Sequence, residues 1–158
     1  MKRRFLTSLF AVCVVLCAVV PVAAELRPRY VVLDTLPEIA RFTDFTFGRV
    51  WEVTAGPRVS IAASYTSTSD VAIEAIRFGI VMLDYFNEIV ADYKVSVLGQ
   101  IEPGVTDSLR QDVPLLARRT PLTGFIWVDA ARLSDGRLIR VPREDVERMM
   151  DEHLRAAR

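Results

Sequence analysis

Between residues 71 and 99 apolar and polar positions alternate with a period of two, and the rest of the chain is arranged around that stretch. Ile76, Phe78, Ile80 and Met82 share one face, wholly apolar. Arg77, Gly79, Val81 and Leu83 share the other, mixed at its start and apolar at its end. Successive side chains of a strand point to opposite faces. Ala72, Ile73, Ile76, Ile80 and Leu83 also fit helical spacing. Against a helix stand the β-branched and aromatic residues that dominate the run and the turn chemistry of Ser67-Thr68-Ser69-Asp70 before it. Gly79 would also weaken a helix interior by roughly 1 kcal/mol relative to Ala. Residues 89–98 alternate again, with Ile89, Ala91, Tyr93, Val95 and Val97 on one face and Asp92, Lys94 and Ser96 on the other, flanked by Val90 and Leu98. That is the pattern of a half-buried antiparallel strand. The two runs pair as a hairpin, or through a wider antiparallel connection, around Tyr85-Phe86-Asn87-Glu88.

Further strands are expected on either side. Residues 47–54 place Val50, Glu52 and Thr54 opposite Trp51 and Val53, and Ala55-Gly56-Pro57 ends them, because Pro lacks the N–H a ladder needs. Residues 58–66 turn Val59, Ile61, Ala63 and Tyr65 one way. After the tight turn at Pro103-Gly104, the less regular residues 105–116 hold a short strand over 106–110. Residues 124–133 oppose Phe125, Trp127 and Asp129 to Ile126, Val128 and Ala130. In Ser134-Asp135-Gly136-Arg137 the Asp-Gly pair is expected to supply the positive φ angles of a two-residue hairpin turn, with residues 138–141 returning. Pro142-Arg143-Glu144-Asp145 opens a helix with acidic residues where the dipole favours them, and Val146, Met149, Met150, His153 and Leu154 follow at helical spacing. Ahead of the strands, Tyr30-Val31-Val32-Leu33 reads as an edge strand or a docked lead-in, and Phe42, Phe45 and Phe47 pin the segment to the core. Short strands with turn signals between them predict a mainly β fold: a single antiparallel immunoglobulin-like β-sandwich of about seven strands with a C-terminal α-helix, preceded by a signal peptide. The divisions are residues 1–24 (signal peptide), 25–46 (lead-in), 47–141 (sandwich) and 142–158 (amphipathic helix).

The leader changes the picture most. Lys2, Arg3 and Arg4 precede an apolar run over residues 5–20 broken only by Thr7 and Ser8, and Pro21 precedes the small residues of Val22-Ala23-Ala24. This is the plan of a secretory signal; retention as an N-terminal membrane anchor is the alternative. Cleavage after Ala24 leaves 134 of the 158 residues, enough for one core without staples. Cys13 and Cys17 both lie in the leader, preceded by Val12 and Leu16 where a lipoprotein signal has a small residue, so the mature chain carries no thiol. It has 17 basic residues against 20 acidic, near −3, which excludes the basic excess of a nucleic-acid footprint.

Residues 62–104 resemble the extracytoplasmic immunoglobulin-like or fibronectin-III-like domains of bacteria, and most of all the FxLYD-type group. The shared elements are the polar turn Ser67-Thr68-Ser69-Asp70, the apolar strand 75–84, the turn Tyr85-Phe86-Asn87-Glu88, the strand 89–98 and the loop Ile101-Glu102-Pro103-Gly104. Here the order is Leu83-Asp84-Tyr85, with the aromatic after the Asp, and Asn87 replaces the usual Gly. The resemblance implies an extracytoplasmic binding or structural domain with no catalytic residue.

Side chains suited to chemistry are few. His153 is the single histidine, and on the apolar side of a terminal helix it reads as partly buried structure. Zinc sites and Cys–His or Ser–His catalysis lose most of their material. Asp84, Glu88 and Asp92 flank the central corner, and Asp107, Asp112, Asp129 and Asp135 are expected to mark other loops, without calcium-loop spacing. Corner aspartates of this kind accept hydrogen bonds from turn amides. Arg118-Arg119 reads as a solvated loop, with an anion site as the alternative; Trp51 and Trp127 as core, with a flat surface for a sugar or a partner as the alternative; Met149 and Met150 as packing against the sandwich, with a docking face for another protein as the alternative. No catalytic, cofactor-binding or metal-binding residue is assigned, and no cofactor. The expected function is a secreted or periplasmic, non-enzymatic sandwich for binding or structural assembly. It would meet a protein partner or a second copy through a sheet edge or the C-terminal helix, with no nucleic acid, and a membrane only if the leader is retained. The rival is a small envelope hydrolase, or a subunit of an enzyme complex, using carboxylates.

Overall fold

Two strands at the middle of the fold carry apolar side chains on both faces, and three layers are needed to cover them. The computed structural model describes residues 28–52, 56–115 and 119–156, with the side chains of 49–52 excepted. The expected leader therefore lies outside the described residues. The elements are β1 (Arg29–Leu33), β2 (Ala40–Glu52), β3 (Gly56–Ser67), β4 (Ile73–Leu83), β5 (Ile89–Ile101), β6 (Thr106–Pro114), β7 (Thr123–Leu133), β8 (Leu138–Arg140) and α1 (Arg143–Ala156). One sheet runs β1-β7-β4-β5, with β8 also on β7; the other runs β2-β3-β6. Every pairing is antiparallel except that of β1 with β7. The expected β-sandwich with a C-terminal helix is what these residues form.

Between the sheets, Val59, Ile61, Ala63 and Tyr65 of β3 meet Ile76, Phe78, Ile80 and Met82 of β4 in one buried cluster, joined by Ile126 and Val128 of β7. The Tyr65 and Phe78 rings lie 4.8 Å apart. Each large side chain so enclosed contributes about 1.5–3 kcal/mol relative to exposure. The Tyr65 hydroxyl reaches the rim and donates to Asp107 Oδ2 at 3.1 Å. Val81, Leu83, Phe125 and Trp127 point the other way, where Leu33 and the α1 residues Val146, Met149, Met150 and Leu154 close a second, smaller core. Strands covered on both faces lose their alternation, which accounts for the apolar end of β4. Among the described residues no helix is long and apolar enough to cross a membrane.

Several local expectations are corrected. The edge strand offered for residues 30–33 forms as β1, while β2 begins at Ala40, ahead of the expected start at 47. Phe42, Phe45 and Phe47 reach one face because the β2–β3 register slips between Phe42 and Asp44, leaving Thr43 as the extra residue of a bulge. The final strand of the second sheet runs Thr106–Pro114, beyond the expected 106–110. In β5, Met82 faces Ala91 while Leu83 faces Ile89, so Val90 is the extra residue of a second bulge. Val90 is thereby buried and Ile89 is left 51% exposed, off the face shared by Ala91, Tyr93 and Val95. The Asp135-Gly136 hairpin has three loop residues, not two. Leu133 N–H donates to the Arg137 carbonyl, Gly136 N–H donates to the Leu133 carbonyl, and only Gly136 has positive φ, at 89°.

Candidate functional site

The β4–β5 turn is built by one carboxylate. Asp84 Oδ1 accepts from the N–H groups of Phe86 at 2.9 Å and Glu88 at 3.0 Å. The Asp84 N–H donates to the Glu88 carbonyl at 2.9 Å, and Asn87 donates to the Asp84 carbonyl at 3.1 Å. Asn87 takes φ 61°, a left-handed conformation Asn tolerates. With its amides satisfied inward, the turn throws Tyr85 and Phe86 outward, 61% and 77% exposed. Their rings are 5.6 Å apart and perpendicular. Asp84 Oδ2 accepts from Arg119 Nη1 at 3.0 Å, and Arg119 also contacts the Glu88 carboxylate. Leu122 N–H donates to the Leu83 carbonyl at 2.8 Å, tying the approach to β7 to the same corner. The result is an open cleft of about 580 Å³ lined by Asp84, Tyr85, Phe86, Glu88, Arg119 and Thr120.

A second polar cluster lies in the sheet itself. Arg77 pairs with Ala130 and Phe78 with Val128, so Asp129 is the extra residue of a bulge in β7. Its side chain is 6% exposed and accepts from Arg77 Nε at 2.6 Å and Lys94 Nζ at 2.8 Å. Burial by itself pushes the Asp129 carboxyl up. The hydrogen bonds and charges of Lys94 and Arg77 outweigh burial and hold it below the usual carboxylate value.

The remaining candidates are dispersed. Asp92 pairs with Arg143 Nη2 at 3.4 Å, away from Asp84 and Glu88. Asp107 accepts from Tyr65, and Asp135 caps its own turn and pairs with Arg137 at 2.6 Å. Asp112 borders a separate cleft between β5 and β6 with Tyr93 and Gln111. Among the described residues no group of three or more His, Cys, Asp or Glu could hold a metal ion. Arg118 lies outside the described residues; Arg119 is engaged by Asp84 and Glu88. Trp51 has no described side chain, while Trp127 is fully buried in the second core, as the core reading has it. Met149 and Met150 pack on the sheet as expected. His153 departs from expectation: it is exposed, with its ring centroid 6.5 Å from that of Phe125. A helix face has finite width, and Leu154 takes the inward position beside it.

Two groups were not singled out by the sequence reading. The Asp129 triad had a signal, an aspartate inside the apolar run Phe125-Ile126-Trp127-Val128-Asp129-Ala130. The aromatic tip had one too, two adjacent aromatics inside a turn whose Asp and Asn already satisfy its backbone. Comparison with known proteins adds no relative: no family model, no curated protein and no solved structure matches the chain.

Proposed function

We propose that the protein is an exported, non-enzymatic binding domain that takes a protein partner on the β4–β5 tip. The observation that carries this reading is the exposure of Tyr85 and Phe86 on a turn held by Asp84, Arg119 and Glu88. Aromatic and arginine side chains dominate the binding energy of protein interfaces. A turn whose amides are already bonded loses little further freedom when a partner orders its side chains. Asp84 is an anchor here: its oxygens accept from two amides and a guanidinium, which suits support better than proton transfer. The leader pattern and the resemblance of residues 62–104 to extracytoplasmic domains support the export half of the proposal.

The test is a photo-crosslinking residue at Phe86 in the cells that make the protein, with the same residue at exposed Gln111 as control. One discrete adduct from position 86, lost on Tyr85→Ser, and none from position 111, is the expected result. An adduct pattern identical at both positions, or none at 86, overturns the tip as the binding site.

A further inference from the structure

Among the described residues, helix α1 covers only part of the outer face of the β1-β7-β4-β5 sheet. Helix α1 lies on the part bearing Leu33, Phe125, Trp127 and Val81. Beyond it, the strand registers set out two rows. Across β5, β4, β7 and β8 the first row is Leu98, Ala75, Arg132, Leu138, and the second is Ser96, Arg77, Ala130, Arg140. Partners directly opposite in a ladder share one face, so all eight side chains stand on this side. Ala75 and Ala130 are diagonal neighbours with little side chain, and longer residues rise around them. They floor a shallow groove of about 290 Å³. At its two ends stand Arg140 and Leu98, the latter 80% exposed; Leu138, on the rim, is 56% exposed.

Charge decides what fits. Arg77 is engaged by Asp129, and Arg132 Nε lies 3.2 Å from Glu74 Oε2. Arg140 forms no ion pair among the described residues. Counting Lys94 on Asp129, four cations face two carboxylates along the groove, and Arg140 also borders a neighbouring cleft with Asp34, Asp145 and Arg148. A guanidinium that lacks a partner at the end of an apolar groove calls for an anionic head on an aliphatic body. The diagonal from Arg140 over Ala130 and Ala75 to Leu98 crosses three strand spacings, roughly 14 Å. The volume lies just below the ~300–1,000 Å³ span of small-molecule sites, which suits one narrow chain.

We propose that this groove binds a medium-chain alkyl carboxylate, with the carboxylate on Arg140 and the chain over Ala130 and Ala75 towards Leu98. The site is separate from the aromatic tip and does not depend on it.

Calorimetric titration of the purified protein with decanoate, below its aggregation concentration, tests this against acetate (head alone) and decyl maltoside (chain without charge). Decanoate should bind at least about tenfold more tightly than either. Arg140→Gln should weaken it by about tenfold, and the double variant Leu98→Ser, Leu138→Ser by a similar factor, since each removes one half of the recognition. All three residues are exposed, so the variants fold, and circular dichroism checks that they do. Arg110→Gln, on β6 of the other sheet, should change nothing. Equal binding of acetate would show a site for anions only, and equal binding of decyl maltoside a greasy surface only. Either result, or undiminished affinity in Arg140→Gln, overturns the proposal.

Discussion

Replacing Asp129 by Asn keeps the shape of the bulge and removes its charge. In the native protein that carboxylate takes hydrogen bonds of 2.6 Å from Arg77 and 2.8 Å from Lys94. Each bond to a charged group contributes about 1.5–3 kcal/mol, and truncating one partner of a buried pair costs about 3–5 kcal/mol. Here the carboxylate is buried but its cations are 36% and 46% exposed. Water screens them, as it does surface pairs, and the expected loss falls to about 1–3 kcal/mol. For a domain of this size that lowers Tm by roughly 4–10 °C. The pH dependence follows from the direction of the Asp129 shift. Its folded carboxyl titrates below the unfolded value of about 3.9. The contribution is therefore whole above that value and is lost as pH falls through the depressed folded one. Urea unfolding of the wild type and Asp129→Asn should show the widest gap at about pH 5–7, with the two curves converging towards about pH 3 and below. Equal midpoints at neutral pH, or a gap that stays constant into acid, would refute the reasoning.

Three further outcomes are expected. An ideal Cβ on Gly79 would fall on the Trp127 indole, so Gly79→Ala should destabilise by about 1–3 kcal/mol through overpacking, read in thermal melts; an unchanged Tm would mean the ring has room to move. Asp84→Ala frees two turn amides and Arg119. Amide exchange at Phe86 and Glu88 should accelerate by at least tenfold with β4 and β7 still protected, and uniform acceleration across the chain would contradict a local role. Burial first, then the charge of Asp107 and its hydrogen bond, push the Tyr65 phenol far above its ordinary value. Spectrophotometric titration should thus show Tyr65 still protonated above about pH 10 until the chain unfolds. Stability that is whole below the unfolded tyrosine value should decline above it, and Tyr65→Phe should lose that alkaline step.

How much of this was legible depended on whether a pattern survived within one strand. Val59, Ile61, Ala63 and Tyr65 alternate without interruption, and all are buried as their period requires. The apolar end of β4, together with Met149, Met150 and Leu154 at helical spacing, announced a helix docked on the sheet. Bulges were not legible. Thr43, Val90 and Asp129 each add a residue that resets the faces, and a one-residue slip reverses every assignment beyond it. The parallel seating of β1 on β7, Leu33 opposite Trp127, joins residues far apart in sequence, and no local pattern encodes it. The ion pairs of the candidate sites fail for the same reason. Arg119 with Asp84, and Lys94 with Asp129, are each 35 positions apart, so each half alone looks like an ordinary surface charge.

The layering explains why the two proposed sites fall where they do. A helix of 14 residues is about 21 Å long, too short to cover a sheet whose strands reach 13 residues. It lies over Phe125, Trp127 and Leu33, where β1 fills the edge of β7. At the other end β8 replaces β1 on that edge, and Ala130 and Ala75 face outward in place of Phe125 and Val81. The large residues mark where a third layer is needed for stability; the small ones, ringed by arginines, mark where the described residues supply none. Along β4 the groove at Ala75 and the turn after Leu83 are separated by eight residues, roughly 26 Å. One small ligand does not span that distance. A partner whose contacts stay within the Tyr85-Phe86 turn would leave the Arg140 groove open, and the two proposed sites would then not compete.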